Sequence, residues 1–218
     1  MDSADQRLKP NIGRFHVITD YHFQQRYTHA ELARYAMDGG ADTIQFRQKR
    51  GTIRHRLVAA RETASVCISS HVPLIIDDDI ALLLATDAAG VHLGLTDLPL
   101  SVARAVLGTQ YVIGGTATTV EQALKAESDG ADYIGFGPVY RTRSKPNPAS
   151  VKGIAGLKAV CKVVSIPVIA IAGITADRIE EVLASGAHGV AVMAAVTAAY
   201  NPQAAAAELR EMIELYAV

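Results

Sequence analysis

Three adjacent carboxylates, Asp77, Asp78 and Asp79, directly follow the apolar run "PLII". Neighbouring carboxylates repel one another and need water, a cation or separate hydrogen bonds. Asp97 closely follows the next apolar run, "GVHLG". If the two runs are neighbouring parallel strands, Asp78 and Asp97 converge on one divalent cation, because Mg2+ takes one or two carboxylates beside phosphate oxygens. We expect Asp79 to cap the following helix instead.

A second group of polar residues contains two cations and an amide. Gln45, Arg47 and Lys49 alternate at period two, which places them on one side of a strand if the strand extends that far. An amide, a guanidinium and an ammonium on a buried face are costly unless they meet an anion or other polar groups. The alternative is that the strand stops at Phe46 and that the rest is a solvated loop.

The segment "GPVYRTRSKPNPAS", residues 137–150, combines hydroxyls with cations. Thr142, Arg143, Ser144 and Lys145 suit the oxygens of a phosphate. The segment is longer than the usual connection from a strand to a helix, which favours a functional loop. A solvated basic surface loop is the alternative.

Two Gly- and Ala-containing stretches end later apolar runs: "AGIT", which contains Gly173, and "MAAV", which begins with Met193 and Ala194. Backbone N–H groups at such positions commonly bind phosphate in barrel enzymes. Packing alone also explains stretches of this composition.

Other reactive residues favour no further chemistry. His92 and His188 lie inside apolar runs, and we expect both to be hydrogen-bonded core residues. Cys67 and Cys161 form neither a disulfide framework nor a metal motif, so they are expected to be buried free thiols. With no Ser-His-Asp order, Cys nucleophile or His-rich cluster, hydrolysis through a covalent intermediate is disfavoured.

The elements that must position these groups alternate along the whole chain. Helices are expected near 28–39, 53–70, 79–87, 99–108, 119–129, 154–164, 175–185 and 202–216, with Thr28, Thr119 and Thr175 as start signals. Strands are expected at 15–20, 42–47, 73–76, 90–94, 111–115, 133–137, 167–173 and 188–193.

Eight strands, each followed by a helix, predict an α/β fold of the (β/α)8 or TIM-barrel type. We expect one domain over residues 1–218, with 1–13 as an N-terminal extension. An open doubly wound sheet is disfavoured, because no G-x-G-x-x-G motif follows the first strand. In a barrel, the polar residues described above end the strands and therefore share one mouth.

Bulk properties exclude several classes of partner. The chain has 218 residues, a net charge of −1 and half of its residues hydrophobic, which argues against disorder and gives no global field for nucleic acid or a membrane surface. The N-terminus lacks a signal-peptide pattern, and the apolar stretches are too short to span a bilayer. We therefore expect a cytoplasmic protein with small-molecule partners, and the sequence leaves homo-oligomerisation open.

Seven motifs, in this order and spacing, resemble the thiamine-phosphate synthase (thiamine-phosphate pyrophosphorylase) family, which is related to the thiazole tautomerases. They are "QFRQK", "IIDDD", "GVHLGLTDLP", "IGGTATT", "GADYIGFGPVYRTRSKP", "IPVIAIAGIT" and "GAHGVAVMAAV". The resemblance implies a TIM-barrel transferase that joins 4-amino-5-hydroxymethyl-2-methylpyrimidine diphosphate to 4-methyl-5-(2-phosphoethyl)thiazole. Pyrophosphate is released with the help of Mg2+, and the diphosphate leaves before the thiazole nitrogen attacks.

The resemblance also implies roles for individual residues. The pyrimidine diphosphate would be held by Gln45, Arg47, Lys49, Asp77, Thr116 and Lys145. The thiazole phosphate would be held by Thr142, Arg143, Ser144, Gly173, Met193 and Ala194. Arg47, Lys49 and Lys145 would be catalytic, and Asp78 and Asp97 would bind Mg2+.

The chain departs from the family pattern at five of these or adjacent positions. The family usually has Asn at Asp77, Ser at Thr116, Thr at Ser144, Gly at Ala172 and Ser at Ala194. Asp77 is the most consequential departure, because a carboxylate would replace a neutral amide beside the diphosphate. Two other functions are compatible with these changes: a thiazole tautomerase, whose relatives carry a histidine where Thr118 stands, and a non-catalytic regulator that binds thiamine precursors.

Overall fold

Eight parallel strands close into a barrel in the order of the sequence, and β1 pairs with β8. The computed structural model describes residues 11–21, 23–142, 144 and 150–216. The strands are β1 (Phe15–Asp20), β2 (Thr43–Arg47), β3 (Leu74–Asp77), β4 (Gly90–Leu93), β5 (Val112–Ala117), β6 (Tyr133–Phe136), β7 (Val168–Ile171) and β8 (Gly189–Val192). This is the predicted (β/α)8 barrel.

Helices connect and surround the strands. They are α1 (His29–Asp38), α2 (Ile53–Ser69), α3 (Ile80–Leu84), α4 (Leu100–Leu107), α5 (Val120–Ser128), α6 (Gly153–Cys161), α7 (Ile179–Ala184), α8 (Ala194–Thr197) and α9 (Pro202–Tyr216), with a 3-10 turn at Ala176–Arg178. The bounds of β1 and α9 match the predicted ones. The four-residue helix α8 was not predicted, because one turn is too short to show a helical period. Of the predicted N-terminal extension, residues 1–10 lie outside the described part of the chain.

Side-chain caps explain where several helices begin. Thr28 accepts the N–H of Glu31 at 3.2 Å, and the Glu31 carboxylate accepts the N–H of Thr28 at 2.8 Å, which is a capping box. Thr119 caps α5 by a single hydrogen bond, accepting the N–H of Gln122 at 3.3 Å. The predicted start signal at Thr175 is weaker, because its side chain makes no capping hydrogen bond ahead of the 3-10 turn.

Alternation along the strands divides the core into two layers. Residues such as Val17, Ile44 and Val91 face outward and pack against the helices. A smaller cluster fills the barrel interior and consists of Ile18, Ile75, Val112, Tyr133, Ile169 and Ala191. Every second residue of each strand therefore points into the barrel, and the last such residue of a strand reaches its mouth.

Two details complete the fold. Both cysteines are free; Cys67 is buried as predicted, whereas Cys161 is only half-buried. Burial raises the pKa of the Cys67 thiol to about 12 and that of Cys161 to about 11, so both stay protonated at neutral pH.

Within the described residues, no helix combines the length and the hydrophobicity needed to cross a membrane.

His16 makes the stability of the barrel depend on pH. Its ring lies inside the barrel, is 1 % exposed and bonds the carbonyl of Gly13 through Nε2 at 3.0 Å. Burial, against the opposing effects of Asp42 and of the hydrogen bond to Gly13 and with smaller contributions from His92 and His188, lowers its pKa from 6.5 to about 4. Between pH 6.5 and 4 the unfolded chain therefore binds a proton that the folded chain does not bind.

We expect the free energy of unfolding to be unaffected by His16 above pH 6.5 and to fall by about 3 kcal/mol as the pH drops from 6.5 to 4. Urea unfolding across this range should show a shallower loss for His16→Gln than for the unchanged protein. The control, His55→Gln, alters an exposed histidine and should leave the slope unchanged. Equal slopes for both variants would contradict this account.

Candidate active site at the carboxyl ends of the strands

Gln45 and Arg47, which were predicted to share one side of a strand, face the barrel interior beside the end of β3. Gln45 Nε2 donates to Asp77 Oδ1 at 2.9 Å, and Arg47 Nε lies 3.5 Å from Asp77 Oδ2. The strand ends at Arg47, one residue beyond Phe46. Lys49 nevertheless joins the group, because its Nζ lies 2.9 Å from Asp77 Oδ2 and also pairs with Asp78. Gln45, Arg47 and Lys49 thus form one cluster with Asp77.

Asp20, at the end of β1, belongs to the same cluster and was missed in the sequence. Its carboxylate is 2 % exposed, and Oδ2 accepts a hydrogen bond from the guanidinium of Arg47. A buried carboxylate is stable only when it is paired in this way. The sequence could have identified Asp20, because it ends the first predicted strand just as Asp77 follows the third.

Hydrogen-bond donors and cations surround the carboxylate of Asp77. Its two oxygens face an amide N–H from Gln45, a guanidinium from Arg47 and an ammonium from Lys49, and all three groups are donors. Asp77 therefore adds a negative charge at the point where the family usually has a neutral amide.

The three adjacent aspartates have separate roles in the structure. Asp79 caps α3, because its Oδ1 accepts the N–H of Leu82 at 2.9 Å, and its Oδ2 pairs with Arg56 at 3.1 Å. This confirms the predicted cap. Asp78 adopts a left-handed backbone conformation, with φ of 64°, and its carboxylate pairs with Lys49. Asp79 thus has partners of its own, whereas Asp77 and Asp78 share the ammonium of Lys49.

Asp78 and Asp97 lie at the ends of neighbouring strands, as expected. The N–H of Asp78 donates to the carbonyl of His92 on β4 at 2.8 Å. Asp97 Oδ2 accepts the N–H of Gly94, just beyond β4, at 2.7 Å. In the described part of the chain, no group of three or more His, Cys, Asp or Glu side chains is arranged to hold a metal. A cation here would therefore take two carboxylates from the protein and its remaining oxygens from ligand and water.

His92 bridges two strands inside the barrel. Its Nε2 lies 2.9 Å from Thr116 Oγ1, and its Nδ1 lies 3.1 Å from the hydroxyl of Tyr133. The expectation of a hydrogen-bonded core histidine is confirmed, but its partner Thr116 is itself a predicted ligand residue. Burial, assisted by the negative charges of Asp77 and Asp132, raises the pKa of Tyr133, so its hydroxyl stays protonated.

Gly114 makes room for this bridge. A Cβ at Gly114 would lie 2.2 Å from the Tyr133 ring and 2.5 Å from His92 Nδ1. Real Cβ atoms do not approach other atoms so closely, so no larger residue fits beside the two rings.

The second predicted half of the site is spread over three loops. Thr142 and Ser144 follow β6, and the N–H of Ser144 donates to Thr142 Oγ1 at 3.1 Å. Met193 immediately precedes α8, which begins at Ala194. Arg143 and Lys145 lie outside the described residues, so their predicted contacts stay predictions.

Gly173 lies in a turn after β7 with two successive left-handed residues. Its φ is 69°, and that of Ala172 is 82°. Ala172 stands where the family usually has a second glycine, and a left-handed conformation costs a residue with a Cβ on the order of 1 kcal/mol. The turn is therefore held by its surroundings rather than by the preference of Ala172.

The chain is similar to known proteins over most of its length. The family described as thiamine monophosphate synthase matches residues 15–196. The thiamine-phosphate synthase of Salinibacter ruber is 56% identical over 208 residues, covering 95% of this chain and 92% of that protein. The same enzyme of Methanocella arvoryzae is 45% identical over 201 residues, covering 92% of this chain and 95% of that protein.

Among solved structures, thiamine phosphate pyrophosphorylase from Pyrococcus furiosus superimposes with a TM-score of 0.85 at 35% identity, covering 93% of this chain and 96% of that one. The family match, the identity to these relatives and the superposed fold therefore agree, and the chain belongs to the thiamine monophosphate synthase family.

Proposed function

We propose that this protein is a thiamine-phosphate synthase. It joins 4-amino-5-hydroxymethyl-2-methylpyrimidine diphosphate to 4-methyl-5-(2-phosphoethyl)thiazole and releases pyrophosphate. The observation that carries the proposal is the cluster at the mouth of the barrel. In this cluster, Arg47 and Lys49 both contact Asp77, the inward-facing residue that ends β3. The names of its relatives support the same activity. Its cytoplasmic location and its oligomeric state remain predictions.

The cationic residues suit a reaction in which the diphosphate departs. The bond between the pyrimidine methylene carbon and the diphosphate oxygen breaks, and its electron pair leaves with the diphosphate. The lone pair of the thiazole nitrogen then forms the new carbon–nitrogen bond. Arg47, Lys49 and, by resemblance, Lys145 stabilise the charge on the leaving group, while Gln45, Asp77 and Thr116 orient the pyrimidine.

This scheme requires no protein nucleophile and no general base. Both cysteines are protonated thiols, and both ring nitrogens of His92 have hydrogen-bond partners. The thiazole phosphate would be held by Thr142, Arg143, Ser144, Gly173, Met193 and Ala194. The protein's contribution is to position the two substrates and to hold the departing charge.

The deciding experiment is incubation of the purified protein with both substrates and Mg2+, followed by chromatography for thiamine phosphate and assay of pyrophosphate. We expect equal amounts of the two products. Turnover of a thiazole carboxylate tautomer without thiamine phosphate would identify a tautomerase instead. Binding of the substrates without either reaction would identify a regulator, and either outcome would refute the proposal.

Asp78 and Asp97 fit Mg2+, because two hard carboxylates on adjacent strand ends leave room for phosphate oxygens and water. When bound, the ion would neutralise charge on the diphosphate. We expect Asp78→Ala to lower Mg2+-dependent kcat/KM at least about a hundredfold and to weaken Mg2+ binding in calorimetry with pyrophosphate. Asp87→Ala, which removes an exposed carboxylate in the turn between α3 and β4, is the control. Full activity of the Asp78 variant would rule out its role as a ligand.

Asp77 should weaken the binding of the diphosphate by adding a negative charge beside Arg47 and Lys49. Asp77→Asn keeps an acceptor for Gln45, removes that charge and frees the two cations for the anionic substrate. We expect the KM for the pyrimidine diphosphate to fall about three- to tenfold, with a smaller change for the thiazole phosphate. Steady-state kinetics at several salt concentrations measure this effect, which screening should reduce. An unchanged or higher KM would show that Asp77 is adapted to this site.

A further inference from the structure

Two loops at the mouth lie directly against each other beyond the ends of β6 and β7. The N–H of Val139 donates to the carbonyl of Ile171, and the N–H of Tyr140 donates to the carbonyl of Ala172, both at 3.0 Å. A Cβ at Gly173 would lie 2.7 Å from Tyr140 Cβ. The loop after β6 thus extends the barrel pairing along β7 and leaves room only for glycine at Gly173.

A stack of side chains joins the same two loops from outside. The Arg178 guanidinium lies over the Tyr140 ring, with Cζ 4.3 Å from the ring centroid, and it also donates to the carbonyl of Gly173. The Tyr140 hydroxyl donates to Glu181 Oε2 at 2.8 Å. Partial burial and this hydrogen bond raise the pKa of Tyr140 to about 12, so the hydroxyl stays a donor.

The carbonyls that these contacts hold determine where the neighbouring N–H groups point. In a trans peptide the N–H is directed opposite to the C=O. The Ala172 carbonyl faces Tyr140 and the Gly173 carbonyl faces Arg178. The N–H of Gly173 therefore points away from the N–H of Tyr140, and the N–H of Ile174 points away from the guanidinium of Arg178. Among the described residues, neither N–H has a hydrogen-bond acceptor. Two adjacent free donors after left-handed residues suit a phosphate oxygen.

We infer that Arg178 is a positioning residue for the phosphate of the second substrate. It fixes the Gly173 turn against Tyr140, which lies two residues before Thr142, and so sets the distance between the two phosphate-binding loops. This inference rests on the proposed function, because that function assigns the phosphate to these loops. Arginine suits the task better than lysine, since its planar guanidinium stacks on a ring and donates to a carbonyl at once.

Among the residues that the structure describes, the side chain of Arg178 contacts only groups at the mouth. Its guanidinium contacts the carbonyl of Gly173 and the ring of the half-buried Tyr140. Other residues fill the barrel interior. Removing its side chain should therefore change ligand binding more than the stability of the barrel.

The test compares Arg178→Ala, Arg178→Lys, Tyr140→Ala and Tyr140→Phe in the full chain, by calorimetry with 4-methyl-5-(2-phosphoethyl)thiazole and by steady-state kinetics. Arg178→Ala and Tyr140→Ala should weaken thiazole phosphate binding and raise its KM about tenfold, with less than about a twofold change in the KM for the pyrimidine diphosphate. Arg178→Lys should recover part of the loss. Tyr140→Phe, which keeps the ring, should bind nearly as well as the unchanged protein.

Arg61→Ala is the matched control, because Arg61 also donates to a backbone carbonyl, that of Ala85 at 3.2 Å, but on the outer wall. It should change neither affinity. Unchanged affinity in Arg178→Ala, or an equal loss for both substrates with a lower melting temperature, would overturn the inference. If the unchanged protein binds the thiazole phosphate but makes no thiamine phosphate, the proposed function fails while calorimetry still decides on Arg178. If it does not bind that compound, both fail.

Discussion

Closure of the barrel is the constraint on which the site depends. Because β1 pairs with β8 and all strands are parallel, every strand ends at the same rim. Alternation along each strand then turns every second side chain inward. Residues from distant parts of the chain, such as Asp20, Arg47 and Asp77, become neighbours because they are the last inward residues of adjacent strands.

Charge balance is the second constraint at this rim. Arg47 and Lys49 are available to an anion only in competition with the carboxylates that hold them, Asp20, Asp77 and Asp78. The buried pair of Asp20 and Arg47 orients the guanidinium, since an unpaired charge there would be costly. Asp77 and Asp78 compete more directly for the ammonium of Lys49. An anionic substrate must replace these contacts, and a divalent cation bound by Asp78 would favour that exchange by attracting its carboxylate away from Lys49.

Much of the fold was readable in the chain because its signals are local. Apolar runs and caps such as Thr28 and Asp79 depend on residues within a few positions, and the apolar runs located all eight strands. The rule that barrel sites lie at strand ends then identified Gln45 and Asp77 correctly as inward-facing mouth residues. Asp20 was overlooked although the same rule applied to it. The helix α8 escaped prediction because a single turn shows no period, and the 3-10 turn was predicted as part of the helix near 175–185.

The sequence by itself determined the barrel, the rim and the family, because alternation, strand count and ordered motifs are properties of the chain. Only the tertiary structure decided which side chains meet. It showed that Asp77 accepts contacts from Gln45, Arg47 and Lys49, that His92 holds Thr116, and that Arg178 stacks on Tyr140. The physical reason is distance along the chain: each of these pairs lies more than twenty residues apart, and only strand register and loop packing bring them within hydrogen-bonding or stacking range.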